Sequence, residues 1–261
     1  MISSLMRALG FLSRIPVPDR HFAGGQHSAA HDAGMYPLAG VVVALPGTII
    51  LAVCGLLGAP ALVSATLAVA SLIAITGALH EDGLGDVADG FFATHDPERI
   101  LTIMRDPHLG TFGTLALVIG AILRIAALAA VITGMGAVAA GLFLLATAAI
   151  SRAAMIWHWA HLPNARKNGK AAAAGQPDNA TMTTALLWAA VITVICAFAT
   201  GAIMQTVLAT GTLATCAWFF ARLAERRIGG HTGDTIGATQ QLSEIAFLTA
   251  LAITLPLPTF Y

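Results

Sequence analysis

Long apolar runs alternate with short polar segments along this chain. Seven of the runs approach the roughly 20 residues that an α-helix needs to cross the hydrocarbon core of a bilayer. The runs cover residues 36–57, 60–79, 112–133, 137–157, 185–205, 207–221 and 245–259. The boundary between the fifth and the sixth is weak, because only Gly201, Gln205 and Gly211 interrupt them. The pattern predicts an all-α, polytopic membrane helix bundle with about seven transmembrane helices.

Hydrophobic positions before the first run also have helical spacing. Ile2, Leu5 and Leu9 would share one helix face, with arginines between them. This spacing predicts an amphipathic N-terminal helix that lies in the membrane interface. A stretch rich in Ala, Gly and Lys at 164–178 predicts a mobile loop. No soluble domain separates from the bundle, so we expect residues 1–261 to form a single integral-membrane domain.

Composition and charge agree with a membrane protein. Hydrophobic residues make up 57% of the chain and charged residues only 10%, whereas a soluble domain carries about 25% charged residues. The formal net charge is zero, which argues against nucleic acid as a partner and leaves the lipid bilayer as the expected surroundings.

The distribution of Lys and Arg predicts the orientation. They concentrate before the first run and in alternate connections, whereas the connections near 58–59, 134–136 and 206 have none. Cytoplasmic loops carry an excess of these residues. The segments that we therefore expect on the cytoplasmic side are 80–110, 158–184 and 222–244.

The strongest chemical signal follows the second run, where residues 80–90 have the sequence HEDGLGDVADG. On a helix, Asp82, Asp86 and Asp89 would fall within an arc of about 60°. Like charges on one helix face repel each other, so we expect a cation there. Carboxylates among glycines suit Mg²⁺, which also binds water and substrate phosphates. The plainer alternative is a set of solvated loop acids. His80 is a candidate base or ligand beside them.

Two later segments and one buried charge add to this picture. Arg105, within MRDPHLGTFG, offers a forked donor for phosphate oxygens, or serves only as a membrane anchor. Asp234, within GGHTGDTIG, is a candidate metal ligand or base, and on a helix it would share one face with Ala238 and Gln241. The plainer alternative for this segment is a Gly-rich linker. Arg124 lies mid-run, where insertion costs at least about 2.5–3.5 kcal/mol. We expect it to face the bundle interior, with a partner that the sequence does not identify.

These motifs, taken in order, resemble the cobalamin synthase family, the adenosylcobinamide-GDP ribazoletransferases. The resemblance is carried by ALHEDGL at 78–84, followed by Asp86, Asp89 and Gly90. It extends over nearly the whole chain, although Asn164 stands where the family has an aromatic residue. The further matching segments are FLSRIPVP at 11–18, YPLAG at 36–40, the motif at 104–113 and the stretch 233–244.

The resemblance implies a multi-pass catalytic domain in the bacterial inner membrane that acts in vitamin B12 assembly. It would join α-ribazole, or its 5′-phosphate, to adenosylcobinamide-GDP, release GMP and require Mg²⁺. Arg105 would hold the diphosphate, and Asp234 or His80 would be the general base. The implied metal ligands are Glu81, Asp82, Asp86 and Asp89.

Two alternatives belong to other classes. Residues 86–93 resemble the start of the D-x-x-D-G-x-x-A-R pattern of CDP-alcohol phosphotransferases, but Thr94 replaces its arginine and its second half is missing. A cation transporter would also use carboxylates, but at mid-span, whereas these acids follow the end of a run.

Overall fold

The structure is a computed structural model, and it describes residues 1–23, 28–166 and 174–255. Within these ranges the only β-type pairing is an isolated bridge between Asn164 and His231. The helices are α1 Ile2–Leu12, α2 Ala29–Asp32, α3 Tyr36–Leu56, α4 Ala61–Thr76, α5 Leu79–Ala93, α6 Pro97–Ile103, α7 Thr111–Met135, α8 Ala137–His161, α9 Asn179–Thr200, α10 Ile203–Ile228 and α11 Gly233–Thr254, with 3₁₀ turns at Asp19–His21 and Ala33–Met35.

The membrane-spanning pattern is confirmed. Six helices in the described ranges are long and apolar enough to cross a bilayer, and the bent pair α4–α5 raises the number to seven if it forms one span. Their bounds correct two predictions. The break between the fifth and sixth spans lies at Gly201, which has a φ of 70°, and not near residue 206. The last span begins at Gly233 and not at 245, and residues 256–259 of its predicted end lie outside the described residues.

The early start of α11 means that most of the predicted loop 222–244 is helical. Its polar side chains are accommodated because they face the centre of the bundle. Gln240, Gln241 and Glu244 are all buried there. Together α8 and α11 form the middle of the molecule, and both bury most of their residues. Polar residues in this stretch therefore belong to a span and not to an aqueous linker.

A sharp bend separates α4 from the acidic helix α5. The two helix axes differ by 89°. Gly77 and Ala78 both have left-handed backbone conformations, with φ of 64° and 58°. The N–H of Arg14 donates to the Ile75 carbonyl at 2.7 Å, so the segment after α1 supports the bend. The acidic segment is thus a helix, set at right angles to the span that precedes it.

The amphipathic helix predicted at the N-terminus is present as α1. It packs on the bundle through Ala8, Leu9 and Leu12, which are buried. Arg7 is buried as well and forms a two-pronged ion pair with Asp32, with both N–O distances at 2.7 Å. The loop predicted at 164–178 can be compared only in part, because 167–173 lie outside the described residues.

Candidate functional site

Acidic side chains from two distant segments meet at one end of the bundle. On α5, Asp82 is exposed while Asp86 and Asp89 are partly buried. Asp234 comes from the first turn of α11. The charges of Asp82, Asp234 and Asp89 all act on the Asp86 carboxyl, and a Cβ at Gly83 would lie 2.7 Å from the Asp234 carbonyl oxygen. The structure therefore brings the predicted residue Asp234 to the acidic face of α5.

The N-terminus of α11 holds Asp234 in place. Thr232 caps the helix: its hydroxyl accepts from the Thr235 N–H at 3.2 Å, and the Thr235 hydroxyl accepts from the Thr232 N–H at 2.9 Å. An acidic residue in the first turn is stabilised by the unpaired N–H groups there. The Asp234 side chain is about a quarter exposed, so a substrate can reach its carboxylate.

A second loop supplies a cation to this site. The His231 N–H donates to the Pro163 carbonyl at 2.8 Å, and the Ala165 N–H donates to the His231 carbonyl at 2.9 Å. A Cβ at Gly230 would overlap the Pro163 carbonyl oxygen, so only glycine permits this close approach. The paired loops carry Arg166 Nη2 to 3.7 Å from Asp234 Oδ2. The sequence left a role for Arg166 undecided, because Asn164 departs from the family's pattern in the same segment.

Arg105 belongs to the same cluster. Its side chain is exposed, and its charge acts on both Asp234 and Arg166. Burial lowers the pKa of the Arg166 guanidinium, and the charge of Asp234 opposes that shift. Two arginines thus border the three acids Asp82, Asp86 and Asp234. Such an arrangement suits a substrate that is itself anionic and binds together with a cation.

Asp89 lies on the predicted face of α5, but its carboxylate is hydrogen-bonded to backbone N–H groups of another segment. Oδ2 accepts from the Gly110 N–H at 2.7 Å, and Oδ1 accepts from the Gly113 N–H at 2.8 Å. These N–H groups belong to the start of α7, where backbone donors lack helical partners. Asp89 therefore caps α7 from a neighbouring helix, a role that its position in the sequence could not reveal.

Glu81 points away from the surface acids and into the bundle. Its Oε1 lies 2.8 Å from Arg124 Nη1, and Arg124 Nη2 lies 2.7 Å from Glu244 Oε1. Gln241 bridges the pair, accepting from Arg124 and donating to Glu81, both at 3.2 Å. Gln240 donates to Glu244 Oε2 at 2.7 Å. This network supplies the partner that Arg124 requires and ties α5, α7 and α11 together.

His80 lies in the same interior region. It is 2% exposed, and with Arg152 it lines a small cavity with mostly polar walls beside the Glu81–Arg124 pair. This position separates His80 from the exposed carboxylate of Asp82.

The sequence pattern did not predict that Gln240 and Gln241 are buried polar residues of the bundle interior. Gln240 and Glu244 are four residues apart, and this helical spacing was the available sign that they share one face of a helix.

The acids can be tested for their fit to a metal ion. Within the described residues, no three His, Cys, Asp or Glu side chains form a set that could hold one. Glu81 and Asp89 already have protein partners, which leaves Asp82 and Asp86, with Asp234 nearby. Mg²⁺ usually takes one or two protein carboxylates and completes its shell with water and substrate phosphates. This donor set fits that mode of binding better than a closed protein cage.

Comparisons with known proteins agree with the motifs. A family model described as Cobalamin-5-phosphate synthase matches residues 4–252. Among curated proteins, adenosylcobinamide-GDP ribazoletransferases of Sinorhizobium medicae and Rhizobium meliloti are 46% and 48% identical to this chain, each over 95% of both sequences. No solved structure matches. The chain belongs to the cobalamin-5-phosphate synthase family.

Proposed function

We propose that this protein joins α-ribazole, or its 5′-phosphate, to adenosylcobinamide-GDP and releases GMP. The observation that carries the proposal is the meeting of Asp82, Asp86 and Asp234 with Arg105 and Arg166 at one end of the bundle. A GDP-linked substrate presents a diphosphate, which needs cationic partners. The names of the relatives support these two substrates. Family membership weighs against the two alternatives, a CDP-alcohol phosphotransferase and a cation transporter.

The reaction requires one bond to form and one to break. The ribose hydroxyl of α-ribazole attacks the phosphorus on the cobinamide side of the diphosphate. A new P–O bond forms, the bond to the bridging oxygen breaks, and GMP leaves with the electron pair. The hydroxyl proton passes to a base. We assign this role to Asp234, because its carboxylate is partly exposed beside the acids, whereas His80 is buried.

Charge builds on the phosphate oxygens during the transfer. Arg105 and Arg166 would stabilise that charge through hydrogen bonds to the oxygens. Mg²⁺ held by Asp82 and Asp86 would neutralise the diphosphate and favour departure of the GMP oxygen. The positions of the side chains support each of these roles. Glu81 and Asp89 would act indirectly, since they fix α5 against α7.

We further propose that the site faces the cytoplasm from the inner membrane. The basis is the excess of Lys and Arg in the segments that carry the site. A cytoplasmic site would also meet its nucleotide-linked substrate directly.

The test is an assay of purified protein in liposomes. GMP should be released from adenosylcobinamide-GDP only when α-ribazole or its 5′-phosphate and Mg²⁺ are both present, and EDTA should stop the release. Asp82→Asn and Asp86→Asn should each lower turnover at least about 100-fold, equivalent to about 2.7 kcal/mol of barrier.

Asp19→Asn is the matched control, because Asp19 is an exposed acid outside the cluster. Its rate should match that of the unmodified protein. Release of CMP from CDP-choline without release of GMP from adenosylcobinamide-GDP would contradict the proposal. Near-normal rates of both Asp82→Asn and Asp86→Asn at low Mg²⁺ would also contradict it.

A further inference from the structure

Three spans leave a long groove on the side of the bundle. Helices α8, α9 and α10 enclose a cavity of about 730 Å³ whose lining is almost wholly apolar. Alanines form much of its floor, and exposed side chains such as Val194 and Val207 form its rim. Gly201, which has a φ of 70°, forms the turn that joins α9 to α10, and both helices line the cavity. The groove opens toward the surroundings of the bundle, which in a membrane are acyl chains.

The groove is long enough to hold an acyl chain that spans one leaflet. Its lining on α10 extends from Ile203 to Trp218, which is roughly 22 Å at 1.5 Å per residue. Half of the hydrocarbon core measures about 15 Å, so an extended acyl chain fits along it.

One end of the groove has the chemistry of a membrane interface. Trp157 and Trp218 both line that end, and tryptophan is enriched where the hydrocarbon core meets the headgroups. Trp218 also lines an adjoining cavity with Arg222 and Arg226. The guanidinium of Arg222 lies 5.8 Å from the centre of the Trp218 ring. Both arginines are exposed, and Glu225 is 3.1 Å from Arg222, which leaves net positive charge at this end.

We propose that this groove binds one anionic phospholipid. An acyl chain would lie between α9 and α10, and the phosphate would contact Arg222 and Arg226. The argument rests on charge complementarity, because basic pockets between transmembrane helices are typical sites for anionic headgroups. This end of α10 leads to the loop that carries Gly230 and His231, so the lipid would occupy the leaflet on the side of the acidic cluster. The inference does not depend on the proposed reaction.

The test compares lipids on the purified full-length protein. Native mass spectrometry after exchange into neutral detergent should show one bound phosphatidylglycerol per chain, with phosphatidylcholine bound at least about fivefold less tightly. Arg222→Gln with Arg226→Gln should remove that preference. Arg20→Gln with Arg99→Gln is the matched control, since it also removes two exposed arginines, and it should keep the preference.

A second arm of the test fills the groove with large side chains. Ala190→Phe and Ala214→Trp place bulk among exposed lining positions and should abolish retention of the lipid. Ala70→Phe adds similar bulk at an exposed position of α4 outside the groove and should not. Equal binding of both lipids by the unmodified protein, or full retention in the filled variants, would overturn the proposal. A dimer that the filled variants convert to a monomer would instead assign the groove to a second copy of the chain.

Discussion

Arg124 and Glu244 are paired across 120 positions of sequence, with their side chains 2.7 Å apart in the interior of the bundle. Glu81 binds the same guanidinium at 2.8 Å. The arginine would be costly in a membrane alone, and each acid would be costly as well. Together they satisfy one another, and they fix the position of the helix that carries the surface acids.

Removing Arg124 should destabilise the fold strongly. Arg124→Gln removes the ion-pair partner of the buried Glu244 and the partly buried Glu81, and breaking a buried pair in this way costs about 3–5 kcal/mol. Unfolding in mixed detergent micelles, followed by circular dichroism, measures the loss of free energy. Arg99→Gln removes an exposed arginine and should leave the unfolding midpoint unchanged. An Arg124→Gln protein as stable as that control would show that the network contributes little.

Asp89 should behave differently from Asp82 and Asp86. Asp89→Asn retains only one acceptor oxygen for the two N–H groups of Gly110 and Gly113. We expect it to cost about 1 kcal/mol of stability and to leave the Mg²⁺ concentration for half-maximal rate unchanged. Asp82→Asn should raise that concentration while sparing stability. An Mg²⁺ requirement that shifts equally in both variants would place Asp89 at the metal.

A single methyl group at Gly230 should disturb the site. Gly230→Ala collides with the Pro163 carbonyl, so the two loops must separate and Arg166 must move away from Asp234. We expect turnover to fall at least about tenfold, or 1.4 kcal/mol of barrier. Gly233→Ala is the matched control, because a Cβ there meets nothing within 4 Å. Equal rates for the two variants would mean that the loop pairing does not serve the reaction.

Stability should fall on mild acidification because of His231. Burial lowers the pKa of this imidazole to about 4, whereas in the unfolded chain it is about 6.5. The unfolded state therefore binds a proton first as pH falls, and stability decreases between about pH 6.5 and pH 4. The loss reaches at most about 2 kcal/mol at pH 5. His231→Asn should flatten the dependence of the unfolding midpoint on pH, and an unchanged slope would exclude this residue as its source.

Orientation can be measured with single cysteines. Cys54, Cys196 and Cys216 are first replaced by alanine, and a cysteine is placed at exposed His95, Asn179 or Glu225. An impermeant maleimide added to intact spheroplasts should label none of the three and should label all of them after lysis. A cysteine at exposed Leu57 should react from outside. Labelling of any of the first three before lysis would contradict a cytoplasmic site.

The spacing of apolar residues in the sequence was enough to predict most of the helices. The contacts between distant segments could not be predicted from it. Apolar runs predicted the spans. The spacing of Asp82, Asp86 and Asp89 showed only that these acids would share one face if the segment were helical, and α5 is that helix. The burial of Gln240 and Glu244 contradicted the expectation of a loop, because polarity alone cannot tell a solvated residue from one paired in the interior. The partners of Arg166 and Asp89 come from other segments, and a single sequence holds no record of which segments meet.

The short turns opposite the acidic site have a practical consequence. The connections at 57–60, at Gly136 and at 201–202 are the only links between described helices at that end, where Gly55 approaches Ala137. Between the described helices, an antibody or a protease that approaches from that face would meet only these short connections. Tags inserted between helices, and reagents that bind those links, should therefore be directed to the opposite face, where they must avoid the reacting groups.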